Sequence, residues 1–387
     1  MSKYQITLTP VDKFFFGGDM MFQVGAKDLP KNWNEITDEN ERARIKKQVE
    51  GNTRYSSYII QSSLFPQQTS LLGMLRFLIL RNDEDVFKEG QIVNKDRAKE
   101  MIGERSFTVN MNGHDENHFG LIKSLSHVQI RRETGEGNVS YLEYAPLFGE
   151  LDFAKTSSGT YNMKDVCIPG LTEKEYKAKD GLSAKLTDGN NFYDFVQGKD
   201  PQKEGVFIED RRIGIARNIR TGKVEDAALF KQISYRFNNK NASYCFVFDA
   251  EVDDSFKLED YSGHLVSIGA DNSQFVIGIS KNVDSARDMA SMNNAVCLLS
   301  PTFLTRAEAQ TAKFAITRLM PFRFLKSEMD AVKSYHILSG NLTRSERYEL
   351  YAPGSVFYFE SKDQKEAFTG LIESKKEFRQ IGYNEYK

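Results

Sequence analysis

One stretch in the second half of the chain concentrates side chains that bind phosphate. Residues 209–230, EDRRIGIARNIRTGKVEDAALF, hold five basic residues and no acidic residue between positions 211 and 223. The arginine fork donates two hydrogen bonds to one phosphate, and Gly214 and Gly222 allow the backbone to approach a nucleic acid strand closely. The stretch therefore predicts a nucleic-acid contact by Arg211, Arg212, Arg217, Arg220 and Lys223.

The same stretch is also compatible with an ordinary solvated surface. Carboxylates flank it on both sides, at Glu209, Asp210, Glu225 and Asp226. If the arginines pair with these carboxylates, the charges neutralise one another without any ligand. Charge alone does not separate the two interpretations.

A second basic site lies earlier in the chain, where Arg131 and Arg132 precede the turn sequence ETGEGN and Lys123 is nearby. Strand patterns around residues 127–131 and 139–144 flank this turn, which predicts a β-hairpin. Two arginines beside the turn of a hairpin are suited to holding a single strand of RNA. A surface hairpin with ordinary charges explains the same residues equally well.

Three short motifs contain residue types that bind metal ions. Gly17-Gly18-Asp19 is similar to the turn of polymerase and cyclase palm domains, but Met20 stands where a second carboxylate would be needed. Two-metal chemistry requires oxygen ligands, so we interpret this motif as a structural turn. His114-Asp115 and Asp253-Asp254 lack the further ligands of a metal site, and we predict that no metal is bound.

The sequence also lacks the motifs of the common enzyme classes. It has no G-x-S-x-G elbow, phosphate-binding Walker loop, H-E-x-x-H or G-x-G-x-x-G. This argues against sites of hydrolases, nucleoside triphosphatases, metalloproteases and dinucleotide-binding enzymes. We therefore predict no catalytic residue and no cofactor. One enzymatic alternative stays open, because His127 beside the basic hairpin has the chemistry of a general base in a metal-independent ribonuclease.

Composition and length set broader limits. A chain of 387 residues with 40% hydrophobic content is long enough for two domains, and a formal net charge of −2 means that any RNA site must be a local patch. The three cysteines, Cys167, Cys245 and Cys297, are widely spaced and form no C-x-x-C pair. Together with the absence of a long apolar run, this predicts a cytoplasmic protein outside the membrane.

Periodic patterns predict the elements that must position these residues. Apolar residues at helical spacing in Ser63–Leu80 predict a buried helix capped by Thr69 or Ser70. Residues 154–203 are rich in polar residues and predict a mobile insertion. Many strand patterns and few helices predict an α+β fold with largely antiparallel sheets. The predicted later elements cover residues 206–208, 212–216, 244–248, 265–268, 275–279, 295–299 and 314–319, a strand pair around Pro353-Gly354, and a helix over 365–374.

Three segments together resemble the RAMP superfamily of CRISPR proteins, and within it the third subunit of the type III-B Cmr complex. They are TPVDKFFFGGDMMF at 9–22, FPQQTSLLGMLR at 65–76 and RRIGIARNIRTGKVEDAALF at 211–230. The tail adds APGSVFYFE at 352–360 and IGYN at 381–384. The pieces span nearly the whole chain, although the terminal glycine segment is shorter than is common in the superfamily.

This resemblance implies two ferredoxin-like (RRM-like) domains with long insertions, which we expect at 1–205 and 206–387. It implies a subunit without an active site that binds the 5′ handle of the guide RNA (crRNA) and meets target RNA only indirectly. The expected protein partners are the large polymerase/cyclase-like subunit and the backbone RAMP subunits. Carried over to this sequence, the resemblance places Gly73 and Arg76 along an RNA groove with the five basic residues of 211–223 as its wall.

Two other functions remain open at this point. A RAMP-fold endoribonuclease would process repeat RNA through a general base such as His127. A pure scaffold would contact only protein. The basic stretch at 211–223 agrees with RNA binding, because a nearly neutral chain needs such a local segment to bind RNA.

Overall fold

The computed structural model describes most of the chain and leaves out several internal segments. The described residues are 1–18, 20–23, 38–43, 57–109, 117–147, 152–153, 166–167, 184–198, 204–217, 224–269, 271–281, 292, 294–326 and 343–387. They form a mixed α+β structure dominated by one large sheet, which confirms the predicted class. None of the described helices is long and apolar enough to span a membrane.

The strands and helices are numbered in chain order. The strands of the first half are β1 (Ser2–Pro10), β2 (Met20–Gln23), β3 (Ser57–Gln61), β4 (Phe87–Lys88), β5 (Gln91–Ile92), β6 (Ile122–Leu125), β7 (Gln129–Thr134), β8 (Val139–Tyr144), β9 (Asp152–Phe153), β10 (Val166–Cys167), β11 (Leu186–Thr187) and β12 (Phe192–Val196). Those of the second half are β13 (Gly205–Arg217), β14 (Val224–Phe237), β15 (Ala242–Val252), β16 (Leu265–Ile268), β17 (Ser273–Lys281), β18 (Ala295–Cys297), β19 (Phe314–Ile316), β20 (Leu319–Phe322), β21 (Leu325–Lys326), β22 (Thr343–Arg344), β23 (Tyr348–Tyr351) and β24 (Val356–Tyr358). The helices are α1 (Gln68–Arg81), α2 (Lys95–Ile102), α3 (Arg306–Ala309), α4 (Lys362–Glu373) and α5 (Lys376–Arg379), with a 3₁₀ turn at Leu258–Tyr261.

Thirteen strands join in the large sheet. Their order is β16-β17-β1-β15-β7-β8-β11-β12-β13-β14-β3-β2, and β6 pairs with β15 beside this path. Among the described pairings of this sheet, only β12 with β13 and β14 with β3 are parallel. The prediction of largely antiparallel pairing is therefore confirmed for the described strands.

Helix α1 packs on the sheet through the apolar residues that the sequence singled out. Leu71, Leu72, Leu75, Leu78 and Ile79 are all buried, because residues spaced three and four apart share one helix face. The predicted cap was wrong. The helix starts earlier, at Gln68, and its N-cap residue makes no side-chain capping bond.

Several predicted strands need correction. The predicted pieces 206–208 and 212–216 are one continuous strand, β13, whose polar middle interrupts the apolar pattern because it is exposed. The predicted 314–319 strand is two strands, β19 and β20. The strands beside Pro353-Gly354 exist but do not pair with each other, since β23 pairs with β20 and β24 with β18 and β19.

Part of the predicted insertion belongs to the large sheet. Residues 184–198 form β11 and β12, which connect β8 to β13. β11 has only two residues, both buried, and β12 is half exposed, so neither strand carries a long apolar pattern of its own. Pairing with neighbouring strands holds them in the sheet. The sheet also continues across the expected boundary at residue 205, since β1 pairs with β15 and β17. The division into two ferredoxin-like domains stays a prediction.

The terminal IGYN segment lies inside the fold. Ile381, Tyr383 and Asn384 are buried. The Asn384 amide accepts a hydrogen bond from the Phe303 backbone N–H at 2.8 Å and donates to the Phe303 carbonyl at 3.3 Å. The segment is therefore a packed part of the C-terminal core.

Two of the segments that carried the resemblance meet at one point of this core. The Gln68 amide at the start of α1 donates a hydrogen bond to the Ser126 carbonyl at 2.8 Å. Gly382 packs against the same carbonyl, and a Cβ atom there would lie only 2.4 Å from it. We call this contact of Gln68, Ser126 and Gly382 the terminal junction.

Candidate nucleic-acid interface

The basic stretch lies on a long hairpin formed by β13 and β14. Phe207 and Phe237 on the two strands are buried, and their rings stack with centroids 5.1 Å apart. Phe14 packs edge-on against Phe207, with centroids 6.0 Å apart, and its backbone bonds to that of Tyr235. Aromatic packing thus anchors the base of the hairpin in the main core.

The outer half of the hairpin leaves the core. The side chains of Arg211 and Arg212 are 60% and 63% exposed, and Ile213 is 72% exposed. Neighbouring residues of a strand point to opposite faces, so exposed arginine side chains lie on both faces of the hairpin at this level. The strand continues to Arg217, which pairs with Val224 beyond a register shift after Ile215.

The two arginines at the start of the stretch form ion pairs with the carboxylates two residues before them. Arg211 donates from Nε to the Glu209 carboxylate at 2.7 Å, and Arg212 Nε lies 3.6 Å from the Asp210 carboxylate. For these two side chains the pairing interpretation is confirmed. Exposed pairs of this kind are worth about 0–1 kcal/mol, so a phosphate can displace the carboxylate at little cost.

The rest of the basic stretch is described only in part. Arg217 ends β13, while Arg220 and Lys223 lie outside the described residues. RNA binding by these three residues stays a prediction.

A groove that the sequence analysis missed opens at the base of the hairpin. It encloses about 500 Å³ and is lined by residues 10–12, Ile208 and residues 236–240. We call it the basal groove. Arg236 and Lys240 are exposed in it, and neither forms an ion pair with any other residue that the structure describes. The β13–β14 pairing places Ile208 opposite Arg236, and the backbone bridge of Phe14 with Tyr235 holds the segment after β1 beside β14. Sequence spacing therefore gave little sign of the groove.

The second predicted basic site turns its arginines toward the protein. Arg131 pairs with Glu133 at 2.8 Å. The Arg132 guanidinium lies 5.4 Å from the centre of the Tyr193 ring, a cation–π contact. Burial, and then the hydrogen bond that the Tyr193 hydroxyl donates to Asp188, raises the pKa of Tyr193 to about 12. Both arginines thus contact neighbouring side chains of the large sheet, and their binding to RNA stays a prediction.

Helix α1 carries the remaining two predicted residues. Gly73 is exposed on the outer face of the helix, with open space where a Cβ atom would be. Arg76 donates to the carbonyls of Ile102 and Arg105, with Nε 2.7 Å from the first and Nη2 2.6 Å from the second. It therefore satisfies backbone acceptors at the C-terminal end of α2. A direct role of Gly73 and Arg76 in RNA binding stays a prediction.

The candidate catalytic motifs show structural contacts. His127 is only 9% exposed, which is unfavourable for a general base acting on an external strand. Gly17 adopts φ 81°, and a Cβ atom on Gly18 would overlap the Gln61 carbonyl, so this motif acts as a tight turn. Asp254 accepts hydrogen bonds from the N-terminal amine and the Ser2 hydroxyl. Asp19 and His114-Asp115 lie outside the described residues.

Metal ligation finds no support in the part of the chain that the structure describes. Within it, no three His, Cys, Asp or Glu side chains cluster as metal ligands do. Cys297 is buried, and burial raises the pKa of its thiol to about 12.

Comparison with known proteins identifies the family. A search of curated proteins gives no match. Two cryo-EM structures described as the type III-B Cmr-beta bound to cognate target RNA, the second also with AMPPnP, contain chains similar to this one. The TM-scores are 0.46 and 0.43 at 15% and 16% identity, covering 99% of this chain and 96% and 95% of those chains. The profile of the family described as "CRISPR-associated protein (Cas_Cmr3)" matches residues 53–386. This chain belongs to the Cas_Cmr3 family of CRISPR-associated proteins.

Proposed function

We propose that this chain is a non-catalytic subunit of a type III-B CRISPR effector complex and that it binds the 5′ handle of the guide RNA. Membership of the Cas_Cmr3 family supports the place in CRISPR defence. The proposal includes the RAMP assignment with two ferredoxin-like domains. It also includes docking to the large polymerase/cyclase-like subunit and to backbone subunits, with target RNA reached through the guide.

The observation that supports RNA binding most directly is the outer half of the β13–β14 hairpin. Its base is fixed by buried aromatic rings, while Arg211 and Arg212 project from the core on opposite faces. The hairpin is also held along its outer half, where β3 pairs with β14, so it presents its cations without the entropy cost of ordering a free loop. It therefore offers a preformed contact for a charged strand.

The chemistry of the contact is exchange of one anion for another. Arg211 and Arg212 form ion pairs with neighbouring carboxylates. These pairs are too exposed to be strong. A phosphodiester offers the same acceptor geometry, and its binding also releases counterions from the RNA. The expected result is affinity that depends steeply on salt and weakly on sequence.

The test is guide-RNA binding by the purified chain at several salt concentrations. For Arg217→Ala/Arg220→Ala we expect weaker binding and a slope of log K against log salt that is flatter by about 0.7 unit per lost phosphate contact. Arg97→Ala is the control, because Arg97 is an exposed arginine on helix α2, outside the hairpin, and lies 2.7 Å from Asp83. Wild-type affinity and slope in the hairpin variant would reject this assignment.

No observation favours the ribonuclease alternative as a second function. His127 is buried between strands β6 and β7, so RNA would reach it only if that region opened. Incubation with labelled repeat RNA in the absence of metal provides the check. Cleavage by the wild type that His127→Ala abolishes would replace the binding proposal with an enzymatic one.

A further inference from the structure

The cations of the basal groove differ from those of the outer hairpin in being unpaired. Arg236 and Lys240 have no ion-pair partner among the described residues, although Asp12 lies on the same groove wall. No ion pair among the described residues stabilises these two surface cations. The charge is therefore available to an external anion.

The groove shares one face of the hairpin with Arg212. Cross-strand partners lie on the same face of a sheet. On this face Ile208 pairs with Arg236 and Arg212 pairs with Gln232. Gln232, the partner of Arg212, lies four positions before Arg236. At about 3.4 Å per position, Arg212 and Arg236 are therefore about 14 Å apart along the strands. Both cations can therefore contact one extended strand.

Other charges on this face occupy the space between the two ends. Lys13 bonds to Asp210 at 2.8 Å, and Asp210 also faces Arg212. At the outer end Gln232 donates to Asp271 at 2.8 Å. The carboxylates thus lie mainly beside Arg212, so the uncompensated positive charge is at the groove end.

The shape and lining of the groove fit a nucleotide unit. Its volume of about 500 Å³ falls within the range of small-ligand sites, roughly 300–1,000 Å³. Val11 and Ile208 supply apolar contact for a sugar or base, while the exposed Asn239 can hydrogen-bond to a base edge. An acidic peptide would use the two cations but would leave this apolar and amide lining without a matched partner.

We propose that the basal groove binds a phosphodiester of single-stranded RNA and that the strand runs outward from it past Arg212. This inference rests on the proposed RNA-binding function and specifies where the strand enters. Arg212 lies on the path of the strand as it leaves the groove.

The experiment compares Arg236→Gln/Lys240→Gln with Arg97→Gln for binding of single-stranded handle RNA across a salt series. Two lost phosphate contacts should flatten the slope by about 1.4 units, since each contact to a single strand contributes about 0.7. We also expect affinity to fall roughly tenfold per lost contact. Arg97→Gln should leave the slope unchanged and affinity within about twofold, because Arg97 lies on helix α2 and not on the hairpin.

A conservative variant separates charge from folding. Arg236→Lys/Lys240→Arg keeps both charges and should retain the wild-type slope, whereas a general folding defect would appear as a lowered melting temperature. Wild-type slope in the Gln variant would overturn the groove assignment, as would weakened association with partner subunits at unchanged RNA affinity. Failure of the wild-type chain to bind RNA at all would instead contradict the proposed function itself.

Discussion

The terminal junction and the long hairpin both contain segments that carry the family resemblance, yet the structure uses them in opposite ways. Gly382 and its neighbours are packed inside the C-terminal core against Ser126 and Gln68. The arginines at the start of the hairpin stretch are more than half exposed. A shared motif can therefore reflect packing as readily as binding, and burial decides which applies.

The largest effect on stability should come from a substitution at the terminal junction. Gly382 has φ 82°, and a Cβ atom would lie 2.1 Å from the Gln68 amide nitrogen and 2.4 Å from the Ser126 carbonyl. We expect Gly382→Ala to lower the free energy of unfolding by about 3 kcal/mol or more, through strain and overlap. Urea unfolding followed by circular dichroism measures this.

Gly73 is the matched control for that variant. It lies within helix α1, where a Cβ atom meets nothing within 4 Å. Gly73→Ala should therefore stabilise the protein by about 0.5–1 kcal/mol. Equal effects at the two glycines would contradict the contrast between a packed and an open position.

The next effect concerns an arginine inside the fold. Arg76→Ala removes the donors to the Ile102 and Arg105 carbonyls, and we expect a loss of about 3 kcal/mol in the free energy of unfolding. Arg97→Ala, which breaks an exposed pair, should cost at most about 1 kcal/mol. If Arg76 also contacts RNA, the salt slope of binding by the folded variant will be flatter than that of the wild type.

The smallest effect concerns the carboxylates that compete with RNA. Asp210 holds both Lys13 and Arg212 on the groove face, so Asp210→Asn should release two cations. We expect RNA affinity to rise by up to about fivefold, because an exposed pair is worth at most about 1 kcal/mol. Glu209→Gln on the opposite face frees only Arg211 and should raise the affinity less. A larger gain from Glu209→Gln, measured by filter binding, would place the strand on the other face.

Local patterns predicted the parts of the fold that depend on local interactions. The apolar spacing of Leu71, Leu75 and Leu78 predicted helix α1 because burial of one face is what stabilises such a helix. The turn after Arg132 predicted the β7–β8 hairpin, in which Ile130 pairs with Leu142. Strands β11 and β12 were missed because they are held by long-range pairing.

The same limit applies to the candidate site. The basic stretch beginning at Arg211 was visible as a run of like charge, whereas Arg236 and Lys240 are separated in sequence from Val11 and Pro10 across the groove. Only strand pairing brings these residues together. Nor did the sequence distinguish Arg76, whose donors reach backbone carbonyls, from the exposed arginines of the hairpin.

The most direct test is crosslinking of guide RNA that carries 4-thiouridine in its handle, within the assembled complex, followed by mapping of the crosslinked peptides. The account predicts crosslinks to the β13–β14 hairpin and the basal groove, within residues 205–240 and 10–13. Crosslinks that fall on residues 381–384 and around Gly73 instead, or on other subunits alone, would contradict it.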